Sequence, residues 1–169
     1  MLSISKSLPD RQHAVKEGDS GRSAAGDAFS ELVVQAFRLD GLLTAAGDAL
    51  AGPAGQTTAR WRVLAAVEEA PMTVAQIARA WGLARQSVQR VADALAADGL
   101  VAYDNNPAHR RAHLVRLTAK GRARLRQIQT AQRRWANDLG EQIGAEKLHR
   151  ANRLITEVIK ALIETRARE

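Results

Sequence analysis

Arg85, Gln86, Ser87, Gln89 and Arg90 crowd side chains that read base edges and hold phosphates into one short stretch. A glutamine amide pairs bidentately with adenine, a guanidinium addresses guanine edges or phosphate oxygens, and a serine hydroxyl donates to a phosphate. Spacing leaves open which arginine or glutamine takes which role. Further along, Asn105-Asn106-Pro107, His109, Arg110 and Arg111 make a polar, basic run. A guanidinium there, above all that of Arg111, suits the negative potential of a narrow minor groove. Other chemistries find little support. His109 and His113 have no cysteine and few carboxylates nearby to complete a metal site. Glu68 and Glu69 are adjacent rather than opposed across a substrate, and Ser87 lacks the Gly-x-Ser-x-Gly elbow. With no Gly-x-Gly-x-x-Gly, phosphate loop or His-Glu-x-x-His, no enzymatic activity and no cofactor are expected.

The charge distribution points the same way. The 169 residues carry a formal +7, but residues 1–84 contribute −1, residues 85–126 contribute +6 and residues 127–169 contribute +2. Excess positive charge concentrated in the middle quarter fits a localised phosphate-binding face. A hydrophobic content of 46% supports a packed core, and zero cysteines exclude disulfides and thiol-based sensing. No window approaches the roughly 18 apolar residues of a membrane span, and Met1-Leu2-Ser3-Ile4-Ser5-Lys6 has no apolar signal core. A cytoplasmic protein without a membrane partner is expected.

The elements that must position these side chains follow from periodicity. Residues 1–24 lack a period and read as a flexible N-terminal arm. From Asp27 to about Leu50, Phe29, Leu32, Val33, Ala36, Phe37, Leu39 and Leu43 give an amphipathic helix, broken by Ala51-Gly52-Pro53-Ala54-Gly55. Thr57 or Thr58 caps a helix carrying Trp61, Val63, Leu64 and Val67. Thr73-Val74-Ala75-Gln76 is a capping box opening a short helix to about Ala80, and Gly82 suits the turn after it. The next helix runs from Arg85 to about Asp98. Its Val88, Val91, Ala92 and Leu95 face inward, which leaves Gln86, Gln89, Arg90 and Asp93 on the opposite face. Leu100–Tyr103 and Leu114–Leu117 read as two strands around a long polar tip, Asp104 to His113. Thr118 caps another helix, with Leu125, Ile128, Trp135 and Leu139 inward. The last helix, about Ala145 to Arg166, has a stripe of Leu148, Ala151, Ile155, Val158 and Leu162, broadened by Leu154, Ile159 and Ile163. That is more apolar surface than one neighbour covers, so a second chain is expected against it. Trp61, Trp81 and Trp135 are expected in the core.

The fold class expected is mainly α with a small two-stranded β wing, a winged helix-turn-helix between N- and C-terminal helices. Residues 56–118 form the winged DNA-binding domain, and 25–55 with 119–169 form the helical region around it. Such a second helix fits the roughly 12 Å major groove, with the wing beside the neighbouring minor groove.

Arg60-Trp61-Arg62-Val63-Leu64, Ser87-Val88-Gln89-Arg90-Val91-Ala92-Asp93-Ala94-Leu95 with Gly99-Leu100-Val101, and Arg110-Arg111-Ala112-His113-Leu114-Val115-Arg116-Leu117-Thr118-Ala119-Lys120-Gly121 resemble the MarR family of dimeric transcription regulators. The resemblance covers roughly residues 27–167. It implies that the N- and C-terminal helices, in residues 25–55 with 119–169, are dimerisation helices that interlock in a homodimer, with two winged lobes and, often, a pocket for a small-molecule effector. Two positions depart from the pattern. The family's wing usually carries an acidic residue two before the minor-groove arginine, where this chain has His109, and its recognition helix usually opens on a serine or similar cap, where this chain has Ala84. Losing such a cap costs about 1 kcal/mol.

The resulting expectation is a sequence-specific regulator of double-stranded DNA, a repressor on a pseudo-palindromic operator released by a small-molecule ligand. The alternative is an architectural DNA-binding protein without sequence preference or effector. The DNA-contacting residues expected are Thr73, Arg85, Gln86, Ser87, Gln89, Arg90, Arg110 and Arg111, and the ligand-facing ones Phe37, Trp61 and Arg62.

Overall fold

A computed structural model describes residues 21–109 and 111–168, so most of the expected N-terminal arm and Arg110 lie outside the described residues. Among those described, six α-helices and three short strands follow the order α1 (Ala24–Ala51), α2 (Thr58–Ala66), β1 (Met72–Thr73), α3 (Val74–Trp81), α4 (Arg85–Ala97), β2 (Val101–Asp104), β3 (Leu114–Leu117), α5 (Ala119–Ile143) and α6 (Ala145–Arg166). The chain divides into two compact units, residues 1–41 and 42–169.

Within the first unit, α1 starts where the Ser23 hydroxyl accepts from the Gly26 amide at 3.1 Å, and Arg22 donates to the Ser30 hydroxyl at 2.9 Å. Its apolar residues stay open to solvent, Phe37 at 75% and Val34 at 55% exposure.

The second unit holds the core. Leu64 from α2, Ile77 from α3, Val88, Ala92 and Leu95 from α4, Val115 and Leu117 from β3, and Leu125 from α5 are buried together. The expected inward face of α4 is therefore the packed one. Capping governs where the helices begin. Thr57 accepts from the Arg60 amide ahead of α2, and Thr118 accepts from the Gly121 amide ahead of α5. Thr73 and Gln76 form a complete capping box: the Gln76 amide donates to the Thr73 hydroxyl at 3.3 Å, and the Thr73 amide donates to Gln76 Oε1 at 2.8 Å. Gly82 ends α3 at φ 63°, a left-handed turn that costs a glycine little. No side chain caps α4, whose Ala84 makes no capping hydrogen bond. Its buried face holds it instead.

The sheet differs from the expected two-stranded wing by one strand. Met72–Thr73 pairs antiparallel with β3, giving the order β1-β3-β2. A two-residue strand that ends on the capping box's own Thr73 is too short for any alternation to show, and its pairing depends on β3, some forty residues away. The β2–β3 pair carries a diagonal ion pair, Arg116 Nε to Asp104 Oδ2 at 2.6 Å. That hydrogen bond from Arg116 holds the Asp104 carboxyl below the usual carboxylate range. Trp61 is half-buried against the core, whereas Trp81 is 45% exposed rather than buried as expected: it shares a face with Val74, Ile77 and Ala78 but is the last residue of α3, where the helix runs out into the Gly82 turn.

At the foot of the wing, α5 meets the sheet without room to spare. The Thr118 amide donates to the Leu100 carbonyl at 3.1 Å, and a Cβ on Gly121 would lie 1.9 Å from that same oxygen. Only hydrogen fits there. On α6 none of the residues is buried, and Leu154, Ile155, Ile159, Leu162 and Ile163 are 46–65% exposed.

Candidate nucleic-acid interface

The N-terminal ends of α3 and α4 and the root of the wing surround a concave cleft of about 400 Å³. Its walls bring together four of the expected DNA-contacting residues, Thr73, Arg85, Gln89 and Arg111, which come from three separate elements. Gln86, Ser87 and Arg90 are on the same helix as Arg85 but outside the cleft. Arg85, Gln86 and Arg90 are exposed, and their side chains make no hydrogen bond or ion pair among the described residues. Their donors are therefore available to a ligand. Ser87 is half-buried, on the first turn of α4. Thr73 is more committed, since its hydroxyl both accepts from the Gln76 amide and donates to Gln76 Oε1 at 2.9 Å.

Gln89 is committed further still. Its Nε2 donates to Asp93 Oδ1 at 2.9 Å and to the Tyr103 hydroxyl at 3.0 Å, and that hydroxyl donates to Asp93 Oδ1 at 2.6 Å. The three side chains close a ring of hydrogen bonds joining the exposed face of α4 to β2. Burial pushes the Tyr103 hydroxyl up to about 12, and its bond to the Asp93 carboxylate adds to the shift. It stays protonated across the physiological range. The Tyr103 ring also meets His113 edge-on, with centroids 6.4 Å apart.

In the wing tip, the Ala108 amide donates to Asn106 Oδ1 at 3.0 Å, and the Ala112 amide donates to the His109 carbonyl at 2.9 Å. These turns set the path of the chain, while the exposed Arg111 guanidinium has no partner among the described residues. At the far end of α4, Arg60 of α2 pairs with Asp98, and Lys120 Nζ donates to the Asp98 carbonyl at 2.8 Å. The helix is thus tied to its neighbours at its C-terminal end and through Gln89 and Asp93, while Arg85 on its first turn and Arg90 further along stay free.

Among the expected ligand-facing residues, Trp61 and Arg62 are half-buried on α2, and Phe37 is exposed in the first compact unit. Among the described residues no cluster of His, Asp or Glu could hold a metal ion, and no helix is long and apolar enough to cross a membrane.

Sequence reasoning missed the role of Tyr103. The spacing of Gln89 and Asp93 is that of neighbours on a helix surface, so half of the ring was legible. Tyr103 reaches it only because the turn after α4 folds β2 back, and no local pattern announces that.

Comparison with known proteins gives a consistent picture. A family model described as MarR family matches residues 54–112. Uncharacterized proteins of Mycobacterium tuberculosis and Mycobacterium bovis are 43% identical over 102 residues, 60% of this chain and 71% of theirs. The crystal structure of a MarR family transcription regulator superimposes with a TM-score of 0.68 at 22% identity, over 85% of this chain and 95% of that one. CouR from Rhodococcus jostii, bound to p-coumaroyl-CoA, gives 0.67 at 20% identity over 81% and 95%. A mutant MarR from E. coli complexed with operator DNA gives 0.63 at 23% identity over 75% and 94%. At these identities the solved structures speak for a shared fold.

Proposed function

Since the chain belongs to the MarR family, we propose that it is a sequence-specific regulator of transcription that binds a pseudo-palindromic operator in double-stranded DNA as a homodimer. The observation that carries this reading is the row of uncommitted donors, Arg85, Gln86 and Arg90, on the exposed face of α4, with Arg111 free on the adjoining wing. A helix with a polar, cationic face and an apolar, packed back enters a major groove without disturbing its own core. The second lobe of a homodimer then meets the next half-site one helical turn away. Repression follows by occlusion of a promoter, in the cytoplasm, with no catalytic step assigned to the chain. The fold shared with CouR, bound to p-coumaroyl-CoA, supports a small-molecule effector, and Trp61 and Arg62 on α2 are the residues assigned to it in the second unit. Such a ligand releases DNA by favouring a lobe spacing that mismatches the grooves.

Selection from a random duplex library, with mass measured by light scattering in the same buffer, tests the reading. A two-fold-symmetric motif bound by a dimer is expected. Binding without an enriched motif would favour the architectural alternative. On the selected operator, Gln86→Ala or Arg90→Ala is expected to cost about 1–3 kcal/mol at one base position. Arg111→Ala weakens binding evenly across sequences and reduces the salt slope by about one. Equal, sequence-independent losses for all three variants would refute base reading by α4.

A further inference from the structure

A glutamine reads adenine by two simultaneous bonds, its amide N–H to N7 and its carbonyl from the N6 amino group. Gln89 has no N–H left for this. Both hydrogens of Nε2 are used, one on Asp93 Oδ1 at 2.9 Å and one on the Tyr103 hydroxyl at 3.0 Å. The amide cannot simply be turned over, because Oε1 would then face the Asp93 carboxylate oxygen, acceptor against acceptor. The Tyr103 hydroxyl is equally fixed, since its own hydrogen goes to Asp93 at 2.6 Å and leaves its oxygen to accept from Gln89. The one polar atom of the Gln89 amide left uncommitted is Oε1.

We infer that Gln89 reads DNA as an acceptor only, favouring the bases that carry a major-groove amino group, adenine and cytosine, on the strand it faces, and that Asp93 and Tyr103 are the positioning residues that restrict it. The inference rests on the proposed role of α4 in base reading. Adenine N6 and cytosine N4 both donate into the major groove, whereas guanine and thymine present only acceptors there. The ring thus converts a side chain suited to one base into one that admits two. A degenerate position in the operator is the result, set from β2 by a residue that does not itself touch the base.

The test is base-resolved selection with the full chain. Gln89→Ala locates the position, as the one whose preference disappears. At that position the wild type is expected to take adenine and cytosine within a few-fold of each other and to reject guanine and thymine. Tyr103→Phe frees one N–H, and Asp93→Ala with Tyr103→Phe frees both, so the double variant is expected to raise the adenine-to-cytosine ratio about tenfold or more. A purely structural role for the ring would weaken binding and leave this ratio unmoved. The single Tyr103→Phe variant keeps the ring packing, and its expected change is a smaller shift in the same direction. Three results overturn the inference while leaving DNA reading by α4 intact: wild-type preference for adenine alone, an unchanged ratio in both variants, or a Gln89→Ala profile identical to wild type. Failure of the wild type to enrich any motif would overturn both.

Discussion

The winged segment and the last helix make opposite use of their apolar residues. Between α2 and β3, Leu64, Ile77, Leu95, Val115 and Leu117 are completely buried, and Trp81 is the one large apolar residue left exposed among the described residues there. On α6, by contrast, Leu154, Ile155, Ile159, Leu162 and Ile163 stay 46–65% exposed. One region is finished within a single chain. The other keeps its apolar stripe for a second surface, which the proposed homodimer supplies. Apolar content alone therefore says little about where stability resides; what matters is whether the opposing surface belongs to the same chain.

The sharpest way to break this contrast is to damage the finished region. Leu95→Ala removes a fully buried side chain in the last turn of α4 and is expected to cost about 2–5 kcal/mol, read from urea unfolding. The same change at Leu154 is expected to leave single-chain stability nearly unchanged. Next, Ile155→Glu with Leu162→Glu charges the α6 stripe. The mass measured by light scattering should fall to the 18.3 kDa of one chain, the winged segment should stay folded by circular dichroism, and operator affinity should drop about 10²-fold as the linked second half-site is lost.

A smaller contrast lies inside the winged segment, between α3 with its full capping box and α4 with none. Thr73→Ala should cost about 1 kcal/mol, whereas Ala84→Ser, which supplies the missing cap, should gain about 1 kcal/mol or less. A gain at Ala84 without loss of operator binding would mean that α4 requires no looseness at its DNA-facing end.

The mildest perturbation is acid. Because Asp104 titrates below its usual 3.8, its pairing with Arg116 contributes fully above that pH. The contribution is lost as pH falls through the depressed value. Melting curves of wild type and Asp104→Asn should therefore converge as the pH drops below 3.8.

Much of this was legible in the sequence, and the reasons are local. The bounds of α6 follow from its apolar period and match Ala145–Arg166, and the Thr73–Gln76 box follows from two residues three apart. The exposed face of α4 was readable because helical spacing fixes which residues oppose Val88, Ala92 and Leu95. β1 was not legible, because two residues carry no alternation and their partner is distant. Nor was the commitment of Gln89, which depends on Tyr103 arriving from another element. The exposure of Trp81 escaped for a related reason: its spacing puts it on the inward face of α3, but it is the last residue of that helix, and no local pattern shows how far the core extends along the face.

The close fit of Gly121 under the Leu100 carbonyl has a mechanical consequence. A helix of this length, about 37 Å at 1.5 Å per residue, is clamped at the foot of the wing with no slack for sliding. Buried Leu125 and Ile128 and the Gln129–Glu68 hydrogen bond hold the first half of the helix as well, and the rest extends from it as an arm. A tilt of about 1° in the held half carries the far end, about 21 Å beyond it, by about 0.4 Å. Any larger residue at position 121 would shift the held half and redirect the arm while leaving every base-facing side chain in the sequence intact.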